Sequence, residues 1–185
     1  MFQEYSQFNE QPIGFNSSGR PLYRKLPLTP LEKILNVAFI FCAFGTWIYF
    51  WVKYPNLPDQ IPTHFDIHGV PDRFGSKKEL FIVPGIGTAV SIFLQLVTLC
   101  PQQYNVSGIR ITAQNGARIY TYARTLVRFI SVTILILFFV ILASWIHAIH
   151  DVKGLSMWVI LICSVGFIFS LIVGICVFYK KATNT

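Results

Sequence analysis

His64 and His68 bracket Asp66 within a polar stretch, residues 54–79, that reads YPNLPDQIPTHFDIHGVPDRFGSKKE and lies between two strongly apolar runs. Imidazole nitrogens and carboxylate oxygens can ligate Zn2+ or a related metal, and they can equally hydrogen-bond to the backbone or orient a polar ligand. Farther on, WIHAIHDVKG places His147, His150 and Asp151 at spacings of three and four, so on a helix they share one face. A metal site built from His64, His68, His147, His150 and Asp151, with Asp66 beside them, requires the two stretches to meet. If one coordination position stayed open, such a site could activate water. Against it, HxDxH is not a strong zinc signature. Two readings therefore stand side by side: a Zn2+ site, or a cap held by local hydrogen bonds that requires no cofactor.

The elements that must position these residues follow from composition. The chain is 54% hydrophobic and only 12% charged, the latter about half the usual fraction. Asp, Glu, Lys and Arg are missing from four intervals, Ile34 to Val52, Leu80 to Ile109, Phe129 to His150 and Gly154 to Tyr179. Each contains the run of roughly 20 apolar residues that a spanning helix needs. The predicted fold is an all-α membrane protein of four transmembrane helices, at about 34–52, 80–99, 127–149 and 156–179. A short, partly extended extracytoplasmic cap, residues 54–79, joins the first two. Residues 1–29 are expected to form a mobile cytosolic leader without helical or strand period, residues 30–179 the membrane domain, and 180–185 a cytosolic tail.

The net charge of +7 follows membrane topology and does not indicate nucleic acid. Arg110, Arg118, Arg124 and Arg128 crowd the segment between the second and third spans with no acid beside them, and Lys180-Lys181 close the chain. The positive-inside rule then predicts a multi-pass protein of the cell (inner) membrane with both termini cytosolic. Cys42, Cys100, Cys163 and Cys176 lie in or beside spans and offer neither a disulfide framework nor a CxxC zinc site.

Local signals refine the elements. Thr29, Pro30 and Glu32 read as the cap, first position and first turn of the first membrane helix. Trp47, Tyr49 and Trp51 form an interfacial belt at its far end. Alternation along IPTHFDIHG would put Ile61, Thr63, Phe65 and Ile67 on a buried side and Pro62, His64, Asp66 and His68 on the other. VPDRFG then reads as a turn. Thr112 is a candidate cap for a helix that continues into the third span, projecting inward by two or three turns. On that projection Arg118, Arg124 and Arg128 could meet lipid phosphates or a cytosolic protein, or simply orient the helix. Gly166, Ser170 and Gly174 make a small-residue stripe suited to close helix packing.

The residues Leu57, Pro58, Asp59, Ile61, Pro62, His64, Phe65, Gly69, Pro71, Asp72, Gly75, Ser76 and Lys77 fit the pattern LPDxIPxHFxxxGxPDxxGSK. This stretch resembles the conserved head module, of unknown function, found between two membrane helices in bacterial proteins of the SdpI-type toxin-immunity family. The segment with Tyr104-Asn105, Thr112 and the arginine-rich helix is similar to that family's inner connection. The resemblance covers roughly residues 30–150. It implies a non-enzymatic membrane protein that recognises an extracytoplasmic ligand, whether peptide, toxin or envelope component, in immunity or signalling. Of the matching residues, His64, Asp72 and Lys77, with Asp66 and Arg73 beside them at variable positions, are the expected ligand-binding or cap-forming residues.

No nucleophile elbow, P-loop, dinucleotide glycine pattern or HExxH is present in the sequence. A membrane-embedded metal-binding protein or metalloenzyme is the alternative from another class, and a structural subunit of a membrane complex is the third. Expected partners are membrane lipids, an external peptide or toxin, a cytosolic protein or a second copy of the chain in a homo-oligomer.

Overall fold

The computed structural model describes residues 11–24, 26–104, 108–150 and 157–183. Four helices dominate it: α1 (Pro30–Lys53), α2 (Ile82–Val97), α3 (Gly116–His150) and α4 (Met157–Thr183). All four are long and apolar enough to cross a membrane, α2 together with the 3-10 turn Lys77–Phe81 that leads into it. Two antiparallel ribbons complete the fold, β1 (Gly14–Phe15) with β2 (Pro21–Leu22), and β3 (Gln60–Phe65) with β4 (Pro71–Ser76). The chain is a multi-pass helical membrane protein.

Thr29 and Glu32 start α1 with reciprocal bonds. Glu32 N donates to Thr29 Oγ1 at 3.2 Å, Thr29 N donates to Glu32 Oε2 at 2.9 Å, and Pro30 occupies the first turn, where a missing N–H costs nothing. The turn into α3 is closed by the Asn115 side-chain oxygen, which accepts from Thr112 N at 2.8 Å, while Gly116 N donates to Thr112 O at 2.9 Å. From there α3 runs without a break to His150, so about three turns precede the predicted start of the span at residue 127.

α3 is the central helix, and α1, α2 and α4 each pack on it. Against α2 the contact is close and polar at its middle: Ser91 Oγ donates to Ser131 O at 3.1 Å and Ser131 Oγ donates to Ser91 O at 3.0 Å. Nearby, a Cβ on Gly87 would lie 2.6 Å from Phe138 Cβ, so only glycine allows this approach. On α4 the small-residue stripe works at one position. Gly174 faces Leu126 at a distance no Cβ could tolerate without a shift, whereas Gly166 looks into open space. Large apolar side chains such as Phe41 and Phe44 of α1, Phe93 of α2 and Ile162 and Phe169 of α4 point away from the bundle, as lipid-facing residues must.

The two bundle ends have different covers. At one, β3 and β4 form a hairpin whose Leu57 and Ile61 enter a core with Phe50, Leu80, Val83, Leu142 and Ile146. At the other, the β1–β2 ribbon and its continuation pack on the first turns of α3: Tyr23 is buried against Ala117 and Tyr120, and a Cβ on Gly116 would meet Pro21 Cγ at 2.6 Å. The expectation that residues 1–29 lack regular structure is thus corrected for residues 14–22. Its physical basis is Gly19, whose φ of 70° closes a tight turn, with the Asn16 side chain accepting from Ser18 N and Arg20 N. Residues 1–10 lie outside the described part.

Candidate functional site

The hairpin carries most of the residues singled out by type and spacing. Its turn is built by Asp66, whose Oδ1 accepts from His68 N and Val70 N at 2.8 Å each, while Gly69 supplies a φ of 82°. Those backbone N–H groups, that of Val70 foremost, hold the Asp66 carboxyl below its ordinary value of 3.8. Two expectations are corrected here. The turn lies at Asp66 to Val70, and the stretch predicted as a turn is strand β4, because Asp66 and Gly69 together close the chain before Pro71, which sits at the first position of a strand where its lost N–H is tolerated. The alternation also fails at both ends: Pro62, expected on the polar side, is buried next to Ile61, register shifts lie on either side of His64, and Ile67, expected on the buried side, is 84% exposed in the turn.

His64 and Asp72 meet across the hairpin, Nδ1 to Oδ1 at 2.6 Å, with side chains 61% and 48% exposed. Arg73 lies opposite His64 in the register and donates Nε to Thr63 Oγ1 at 3.3 Å. Beside this polar pair the surface is apolar, with Val70 and Phe74 exposed together with Ile67. The hairpin therefore presents an imidazole–carboxylate pair and a guanidinium among accessible apolar side chains.

Its root is fixed separately. Lys77 Nζ bridges Asp59 Oδ1 at 3.1 Å and Leu57 O at 3.2 Å, lies over the Tyr54 ring, and its N–H donates to Asp59 O, tying the first and last motif residues together. A Cβ on Gly75 would meet the Glu79 carboxylate and lie 3.0 Å from Thr63 Cγ2, so a larger residue there requires the Glu79 side chain to turn aside. Trp145 of α3 donates Nε1 to Pro62 O at 2.6 Å and docks the hairpin on the bundle. Sequence reasoning did not single out Trp145; an indole amid apolar residues one turn from a polar segment was the available signal.

Among the described residues, no three His, Cys, Asp or Glu side chains are grouped as a metal ion would require. His64 and His68 lie on the hairpin, and His147 and His150 are exposed on the last turn of α3. Asp151 lies outside the described residues.

At the opposite end the arginines predicted to face lipid or a cytosolic partner divide. Arg124 and Arg128 are buried and engage Glu32, which is fully buried. Arg124 donates Nε to Oε1 at 2.7 Å and Nη2 to Oε2 at 2.8 Å, and Arg128 donates Nη1 to Oε1 at 2.9 Å. Arg124 also reaches Leu26 O and Pro27 O, so one side chain joins the leader, the start of α1 and α3. Glu32 was legible only as a helix-cap residue. Nearby, burial raises the Tyr104 phenol to about 12, and its hydroxyl donates to Val97 O at 2.9 Å. Arg118 is half-buried and stands apart from this network.

A four-helix membrane protein with a structured hairpin between its first two spans is the class these features define. Residues 41–88 match the family described as a domain of unknown function (DUF1648), which brackets the hairpin and the adjoining parts of α1 and α2. The chain is also 36% identical over 72 residues to an uncharacterized protein of Archaeoglobus fulgidus, a match covering 39% of each chain. No solved structure matches the chain.

Proposed function

We propose that the protein is a non-enzymatic receptor-like membrane protein whose β3–β4 hairpin faces outward and recognises an extracytoplasmic peptide, toxin or envelope component, in immunity or signalling of the SdpI type. One observation carries this reading. The His64–Asp72 pair is held at 2.6 Å yet remains exposed, beside accessible Ile67, Val70 and Phe74, while the hairpin's attachment is provided by other residues. An exposed side-chain contact of this kind contributes little to stability, so its fixed geometry is available to a ligand. A polar pair able to donate and accept, set among apolar side chains, suits the backbone and side chains of a peptide.

The test is survival. Bacterial cells producing the wild-type chain are challenged with a panel of secreted membrane-active peptides, alongside cells producing His64→Ala or Asp72→Asn at equal membrane abundance. Protection against one peptide, lost in both variants, is expected. Protection that survives both substitutions would remove the hairpin pair from the recognition surface, and absence of protection by the wild type across the panel would contradict the immunity reading.

A further inference from the structure

The edge of an arginine formed by Nε and one terminal nitrogen is a fork that takes two oxygens of a single oxyanion. In α3 this fork is filled once, by the Glu32 carboxylate on Arg124 Nε and Nη2 at 2.7 and 2.8 Å. In Arg118 the same two nitrogens are buried and have no hydrogen-bond partner. Buried donors without partners are costly, and a guanidinium cannot relieve the cost by giving up its proton. Arg118 is moreover in the first turn of α3, which contains no acid. The helix dipole is positive at that end and disfavours a cation. Elsewhere at this end Arg124 and Arg128 share the single carboxylate of Glu32, and Arg128 retains a buried Nε with no partner. Among the described residues positive charge is thus left uncompensated here, and the fork on Arg118 asks for an anion with two oxygens.

Depth along α3 indicates its source. Trp145, with its indole bonded to Pro62 O, sits where the hairpin meets the bundle, a place suited to an interfacial aromatic. The rise from Arg118 to Trp145 is roughly 40 Å at about 1.5 Å per residue. A bilayer measured through its headgroup regions is about 40–45 Å thick. With Trp145 in one interface, Arg118 falls in the headgroup layer of the opposite leaflet. We propose that Arg118 binds the phosphate of an anionic phospholipid in that leaflet, Nε and Nη2 donating to its two non-bridging oxygens. A phosphodiester fits the fork as the Glu32 carboxylate fits Arg124. An anionic headgroup, unlike a zwitterionic one, also leaves its charge to offset the local excess. Arg118 is only half-buried, so part of its side chain is accessible from outside the bundle.

Delipidated full-length protein in detergent provides the test, with phosphatidylglycerol, phosphatidylcholine and inorganic phosphate as probes. Bound lipid is counted by native mass spectrometry and stabilisation is read from Tm. The wild type is expected to retain phosphatidylglycerol in preference to phosphatidylcholine and to gain Tm with it. Arg118→Gln should lose about tenfold or more in affinity for phosphatidylglycerol, with its lipid-free Tm reporting whether it is folded. Arg118→Lys, which keeps the charge but not the fork, should fall between the two. Equal phosphatidylglycerol binding by Arg118→Gln, or full affinity in Arg118→Lys, would overturn the proposal. So would displacement of the lipid by inorganic phosphate at equal concentration, which would assign the fork to a soluble anion, or wild-type protein that binds no phosphatidylglycerol.

Discussion

Each end of the bundle carries a close side-chain contact to a carboxylate, Glu32 at one and Asp72 at the other, and the two differ in solvent. Glu32 with Arg124 and Arg128 is sealed from water, and every carboxylate oxygen is engaged. His64 with Asp72 is half in solvent on a two-stranded ribbon. Burial makes the first contact indispensable, since removing one partner strands a charge in a low dielectric. Exposure makes the second nearly neutral for folding, because water replaces either partner. Contacts of similar length thus have different consequences: one locks the leader to two helices, and the other leaves both of its groups accessible to solvent.

The largest effect should come from the sealed cluster. Glu32→Ala leaves two buried guanidinium groups without their carboxylate and should cost about 3–5 kcal/mol, seen as a steep fall of Tm in detergent and loss of protease resistance in the leader. A Tm close to wild type would mean that water enters this end freely. Next comes helix packing. Gly87→Val drives a side chain into Phe138 and should cost about 1–3 kcal/mol, whereas Gly166→Val, which faces open space, should leave Tm unchanged; similar losses at both sites would contradict the α2–α3 contact described above.

Smaller effects belong to the hairpin. Trp145→Phe removes the bond to Pro62 O and should cost about 1 kcal/mol, with faster amide exchange in residues 60–76 than in α2. His64→Ala should change stability by about 0–1 kcal/mol; a larger loss would show that the pair holds the fold after all. The turn adds a pH dependence. The Asp66 carboxyl is depressed below 3.8 in the folded chain, so its stabilisation of the turn is present above that value and is lost as pH falls through the lower folded one. Amide exchange at His68 and Val70 should accelerate on acidification below about pH 4, and Asp66→Asn should abolish that response; a wild-type turn unchanged at low pH would be inconsistent with the bonds to Asp66.

How far the sequence reveals these regions depends on the range of the interactions. The four helices were legible because charge is absent from long intervals, and the start of α1 because Thr29, Pro30 and Glu32 act within one turn. The close approach at Gly87 and the Trp145 bond depend on residues more than forty positions away, and no local period announces them. In the hairpin, the composition indicated an extended, turn-containing segment, but the register shifts on either side of His64 moved the later residues relative to simple alternation. Glu32 shows the same limit most clearly. Its local place in the first turn was readable, and its partners lie in a helix that begins after β3, β4 and α2. Arg124 and Arg128 were visible as arginines of the inward projection, yet nothing near them in sequence indicates that a carboxylate from α1 engages both.

The division of labour between the two charged contacts is tested most directly by melting Glu32→Ala and Asp72→Asn side by side in one detergent, each against wild type. A large fall in Tm for Glu32→Ala with no change beyond a degree or two for Asp72→Asn is the expected result, the latter corresponding to a loss of less than about 1 kcal/mol. Equal losses, or a larger one for Asp72→Asn, would show that the hairpin pair is part of the scaffold and would withdraw it from recognition.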